Sequence, residues 1–251
     1  MAVGRAKLAM AQGVSVWVLE APDGFGDADF HSHHAIQLTF CLSGALALTG
    51  EGEAIGGKAI AVAADTRHRF EAHGLLAFIF VEPESRAGRA LGERLFGSSA
   101  VAALDAARLA HVLEPLAGTF ELGLMPEDLL AAGRSVVEIL APPGPAPLPD
   151  ARIQRIIDRA FSAPDQSLDA TASAAGVHLS PSRLRHLFVE QTGLAFKTYM
   201  LWLRMVRALH AYAEGGTLTE AAHAAGFADS AHFSRIFKRT FGLPATTLTR
   251  F

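Results

Sequence analysis

Two short stretches near the end of the chain set polar and cationic side chains opposite an apolar helical face. In the first, Leu184, Leu187 and Phe188 fall at helical spacing, leaving Ser182, Arg183, Arg185 and His186 on the other side. In the second, Phe233, Ile236 and Phe237 do the same, leaving Ser230, His232, Ser234, Arg235, Lys238 and Arg239 free. Arginine donates bidentately to guanine, serine and histidine reach base edges or phosphates, and the first turn of a helix offers amide donors to a phosphate. The chemistry these residue types support together is recognition of duplex nucleic acid.

The elements that must position them form an internal repeat. TASAAGVHLSPSRLRHLFVEQTG (171–193) aligns with EAAHAAGFADSAHFSRIFKRTFG (220–242) at an offset of 49 residues. Each copy reads as a small-residue helix, a turn at Gly176 or Gly226, and a second helix begun by a capping Ser180 or Asp229. Between them, the 18 residues Phe196 to Ala213 read as one helix. At 1.5 Å per residue it spans about 27 Å, near one duplex turn, so two recognition helices could enter successive major-groove segments.

Charge follows the same division. Residues 1–149 carry 10 Lys+Arg against 17 Asp+Glu, or −7, and residues 150–251 carry 12 against 8, or +4, which sum to the chain's −3. The basic excess therefore lies in the part that holds the repeat, a pointer to polyanion binding.

Upstream, VSVWVLE, AIQLTFCLSGALALTG, KAIAVAAD and LLAFIFVE read as short strands of a meander or small barrel over residues 1–88. From 89 to 140 the apolar period becomes helical, in AVAALDAARLAHVLEPLAG and PEDLLAAGRSVVEIL, a segment suited to packing or dimerisation. APPGPAPLPD, 141–150, cannot continue a helix and reads as a semi-rigid linker before the domain at 151–251. The first residues carry a short apolar run broken by Gln12 and Gly13, which argues against a signal peptide, and no apolar stretch reaches membrane-spanning length. A cytoplasmic protein is expected. The lone Cys41 excludes an internal disulfide and reads as a core residue.

With LSPSRLRHLF, LRMVRAL and GFADSAHFSRIFKRTFGLP in place, residues 150–251 resemble the DNA-binding domain of the AraC/XylS family of transcription regulators. The resemblance implies that Ser182, Arg185 and His186 in one helix, and Ser230, Ala231, Ser234 and Arg235 in the other, face the bases. It implies double-stranded DNA as partner, a small-molecule or metal effector, contact with RNA polymerase, a homodimer and no catalysis.

FHSHHAIQLTFCLSG in turn resembles the first motif of the cupin superfamily, with His31, His33, Gln37 and Gly44 in its places and His68 in that of a later histidine. Ala63 and Asp65 stand where the second motif has proline and glycine. The fold implied is α+β: a cupin-like β-barrel with accessory helices, then an all-α domain of two helix-turn-helix units joined by a long helix. His31 and His33 share one face of a strand, and with His68 and the oxygen of Gln37 they make a ligand set for one zinc, nickel, iron or copper ion. Two other readings stand beside this: the histidines line an effector pocket, or the barrel is a metal-dependent enzyme fused to a DNA-binding tail. His34 and His73 read as surface or rim residues, and Trp17, Phe30, Phe40, Phe70, Phe78 and Phe80 as core.

Overall fold

Strands β1 (Arg5–Ala11), β2 (Val14–Ala21), β3 (Ile36–Thr49), β4 (Ala54–Gly56), β5 (Ala59–Val62), β6 (Arg69–Val81) and β7 (Val101–Ala103) form one antiparallel sheet in the order β1-β2-β6-β3-β5-β7, with β4 paired to β3. The computed structural model describes residues 4–25, 28–50, 52, 54–141, 149–162 and 169–247. They fall into two compact units, one within Met1–Pro83, Ala87–Ala146 and Ser234–Phe251, the other within Glu84–Arg86 and Pro147–Phe233.

In the first unit, alternation along the strands gives the sheet two distinct faces. Val16, Val18, Leu38 and Ile79 point to a core completed by α1 (Arg86–Leu95), α2 (Ala106–Ala117) and α3 (Pro126–Leu140) through Leu91, Leu109, Leu116, Leu129 and Val136. Their neighbours Trp17, Gln37, Phe78 and Phe80 line a cavity instead. The long pair β3/β6 bends at a bulge between Cys41 and Ser43. Directly after it Gly44 faces Gly74, at φ +90° and +94°, and a Cβ on Gly44 would lie 2.1 Å from the His73 carbonyl oxygen. Only glycine fits there.

Three sequence expectations change here. Residues 5–11 are a strand, β1, and Val101–Ala103 pair with β5 although they open a stretch with helical spacing. Edge pairing overrides the propensity of three small residues, and the helix begins at Ala106, where Asp105 accepts from the Ala107 and Arg108 amides. His34 is buried, 3% exposed, with Nδ1 3.5 Å from Asp65 Oδ2, rather than on the surface. Cys41 is buried and free, and His73 is exposed.

The second unit is helical: α4 (Ala151–Ser162), α5 (Ala170–Ala175), α6 (Pro181–Thr192), α7 (Phe196–Ala213), α8 (Leu218–Ala224) and the start of α9 (Ser230–Phe241). Phe188 packs edge-on against Phe196 and Tyr199, and Tyr199 donates to Glu84 Oε1 at 2.5 Å. The linker reading at 141–150 falls mainly on 142–148, outside the described residues. Among the described residues no helix is long and apolar enough to cross a membrane.

Candidate functional site

Each half of the repeat is started by its own cap. Asp169 accepts from the Thr171 and Ala172 amides to begin α5, and Ser180 Oγ accepts from Arg183 N–H to begin α6. Thr217 and Glu220 form a reciprocal capping box on α8, and Asp229 Oδ1 accepts from His232 N–H at 2.6 Å to begin α9. Gly226, at φ +78°, makes the second turn, whereas Gly176 stays right-handed and His178 takes the positive φ in the first.

Burial then sorts the side chains. On α6, Leu184, Leu187 and Phe188 are buried, and Ser182, Arg183, Arg185 and His186 are exposed. On α9, Phe233 and Phe237 are buried, Ala231, Arg235, Lys238 and Arg239 are exposed, and Ser230, His232, Ser234 and Ile236 are half-buried. The His186 ring is held by the Ser182 carbonyl at 2.9 Å, one turn back. Lys238 pairs with Asp29 at 2.9 Å.

The first unit brings three histidines together. His31 and His33 precede β3 rather than sharing a strand: an isolated bridge joins His31 to His68, His33 follows in irregular chain, and one ring nitrogen from each lies within 4.8 Å of the others. All three are buried. Each Nδ1 sits against a backbone carbonyl, His31 on Asp29, His33 on Ala35 and His68 on Thr66, at 2.8 to 2.9 Å. In the neutral ring that arrangement puts the proton on Nδ1 and leaves the lone pair on Nε2. Burial keeps the rings neutral: it lowers the His31 pKa to about 4, helped by the nearby His68, and pushes His33 and His68 down as well.

Gln37 faces two of these lone pairs. Its Oε1 is 2.9 Å from His33 Nε2 and 3.4 Å from His68 Nε2, while its amide donates to Thr39 Oγ1 at 2.8 Å. Acceptors converging on acceptors need something positive between them, a proton or a cation. Three neutral imidazoles and an amide oxygen suit a borderline transition metal, so the donor set passes a chemical test for one ion. Drawing the nitrogens to the usual 2.0 to 2.1 Å, roughly, requires the rings to close inward. Asp65 adopts φ +58°, and its N–H donates to the His33 carbonyl.

Beside the histidines lies a cavity of about 20 Å³, walled by Trp17, Leu19, Phe70, Phe78 and Phe80 from the sheet and by Phe237, Phe241, Leu243 and Thr247 from the C-terminal segment of the same unit. Trp17, Phe70, Phe78 and Phe80 are buried yet line this space, a role their aromatic type alone did not separate from core packing. Phe30 is 37% exposed rather than core, with the Arg67 and Arg69 guanidiniums over its ring. Thr39 and Asp29 escaped sequence reasoning because their roles depend on strand register and on a distant helix.

Residues 151–250 match the family model of a helix-turn-helix domain. The uncharacterized HTH-type transcriptional regulator YpdC of Escherichia coli (strain K12) is 34% identical over 120 residues, 46% of this chain and 41% of that protein. The HTH-type transcriptional activator RhaS of Escherichia fergusonii is 34% identical over 94 residues, 37% of this chain and 34% of that one. The chain thus matches well under half the length of these curated relatives. The crystal structure of ToxT from Vibrio cholerae O395 bound to (E)-4-(8-methylnaphthalen-1-yl)but-3-enoic acid superposes with a TM-score of 0.57 at 14% identity, covering 98% of this chain and all of that one, which shows a shared fold.

Proposed function

We propose that this chain, which carries an AraC-type helix-turn-helix domain in residues 151–250, is a sequence-specific DNA-binding transcription regulator with an N-terminal, cupin-like sensor. The observation that carries the reading is the pair of separately capped helices, α6 and α9, each with an apolar face opposite a Ser/Arg-bearing one. Ser182, Arg185 and His186, with Ser230, Ala231, Ser234 and Arg235, read base edges; Arg183, His232, Lys238 and Arg239 hold the backbone. The protein works on duplex DNA in the cytoplasm, as a homodimer formed through α2, α3 and the turn between them, where Leu122 and Met125 are exposed, and in contact with RNA polymerase.

The sensor takes one of two inputs. His31, His33, His68 and Gln37 would hold a single zinc, nickel, iron or copper ion, which as a bound charge would draw the three rings together. Alternatively an apolar acid enters the aromatic cavity, in keeping with the naphthalenyl-butenoic acid bound by ToxT. Trp17 Nε1, buried and without a hydrogen-bond partner among the described residues, is a donor ready for a carboxylate or carbonyl oxygen. Footprinting on the DNA flanking its own gene, with and without metals and apolar acids, tests the reading. Protection of a discrete site that changes with one of these additions supports it, and no protection under any condition overturns it.

A further inference from the structure

We infer that the sensor cavity is stoppered by the chain's own C-terminal segment, so that an organic effector and the closed stopper exclude one another. The inference rests on the regulator reading above and adds a mechanism to it.

A free cavity of about 20 Å³ admits one water or one ion. A benzene-sized ring needs a cavity on the order of 150 Å³. The walls from the sheet are fixed by strand pairing, so room for an organic molecule comes from the other side, where Phe237, Phe241 and Leu243 stand. Phe241 lies against three sheet-side rings, Trp17 at 4.8 Å, Phe80 at 5.5 Å and His33 at 5.8 Å between centroids, and Phe237 stacks on Trp17 at 6.4 Å.

A close backbone approach latches the segment in place. Asp29 N–H donates to the Gly242 carbonyl at 3.1 Å, and a Cβ on Gly242 would lie 2.5 Å from both the Asp29 carbonyl oxygen and His31 Nδ1. Any side chain there breaks the seat. The same closure engages the DNA-facing side of α9: Lys238 pairs with Asp29, and Ser234, Arg235 and Arg239 line a cleft of about 500 Å³ together with Asp29 and Phe30. A molecule that displaces Phe241 and takes the Trp17 Nε1 donor therefore frees Lys238 from Asp29 and parts the already exposed Arg235 from Asp29 and Phe30 across the cleft. Filling the cavity and releasing the second recognition helix become one event.

The test uses the full chain with Trp202→Phe, which leaves Trp17 as the sole tryptophan. Acrylamide quenching of Trp17, fluorescence of added 1-anilinonaphthalene-8-sulfonate and affinity for a duplex from the flanking DNA are read in parallel, with circular dichroism to confirm folding. Gly242→Ala is expected to raise quenching about twofold, dye binding at least about fivefold and duplex affinity about tenfold, as a shift of a two-state equilibrium requires. Asp29→Asn keeps the backbone contact and removes only the ion pair, so it should raise duplex affinity about two- to threefold. Folded Gly242→Ala with the quenching and dye binding of the parent overturns the stopper. Should Gly242→Ala not fold, Asp29→Asn decides, and parental duplex affinity in it overturns the proposal. If Trp17 and the dye respond as expected while no variant binds duplex, the stopper stands and the DNA-binding reading falls.

Discussion

His33 Nε2 and Gln37 Oε1 face each other at 2.9 Å inside the protein, and with the His33 Nδ1 proton committed to the Ala35 carbonyl both atoms present lone pairs. A cation between them resolves the conflict, as does an inverted Gln37 amide with Thr39 donating in turn. The two solutions differ in stoichiometry. Protein purified without an affinity tag is expected to hold close to one transition-metal ion per chain, measured by elemental analysis. His33→Ala should lose it, and Gln37→Glu, which adds an anionic oxygen, should tighten it by about tenfold or more, in the range reached by changes around a metal site. A metal-free parent that does not take up added zinc, nickel, iron or copper would leave the amide inversion as the answer.

Acid should destabilise the metal-free protein in a defined window. Burial holds His31 at about 4 against an ordinary 6.5, with His33 and His68 also lowered, so the unfolded chain binds more protons than the folded one between those values. The stability is fully present above pH 6.5 and falls as pH drops toward 4. For His31 alone the loss is about 3 kcal/mol. Urea unfolding at a series of pH values checks this, and a flat profile through the window speaks against buried neutral rings.

How much of this was legible in the sequence differs between the two parts of the chain. The C-terminal helices were, since Leu184, Leu187 and Phe188 can share a face only in a helix, Ser180 and Asp229 are good caps, and α7 runs from Phe196 to Ala213 as its apolar spacing implies. Helical signals are local. The sheet was legible only in outline: β1 and β7 owe their existence to partners in β2 and β5, and Val101–Ala103 has no strand signal of its own. Alternation on a strand was the expected reason for His31 and His33 to meet, whereas both precede β3 and meet through the isolated bridge of His31 to His68; the approach of Gly242 to His31 links residues far apart in sequence, and no periodicity carries it.

The paired glycines at the bend of β3 and β6 give a test of the fold. Gly44→Ala or Gly74→Ala drives a methyl group into the opposite backbone at a positive φ, and each should cost about 2 to 4 kcal/mol. Thermal melts report the loss. Gly52→Ala, with nothing near its added carbon, should leave the melting temperature unchanged.

At the DNA face, the two helices can be weighed separately. Arg185→Ala and Arg235→Ala should each weaken a specific site by about 1 to 3 kcal/mol and relax selectivity at one base position, whereas loss of a phosphate contact at Arg183 or Arg239 should weaken all sequences alike and reduce the salt slope. A selection from randomised duplexes with each variant reads both effects.

Titrating the full chain into a labelled duplex from the DNA flanking its own gene, against a random duplex and at rising salt, decides most directly whether this is a sequence-specific regulator. The expected result is saturable binding at least about 10³-fold tighter than to the random duplex, falling steeply with salt and losing its preference in Arg235→Ala. Equal affinity for both duplexes, or no binding to either at about 50 mM salt, would contradict it.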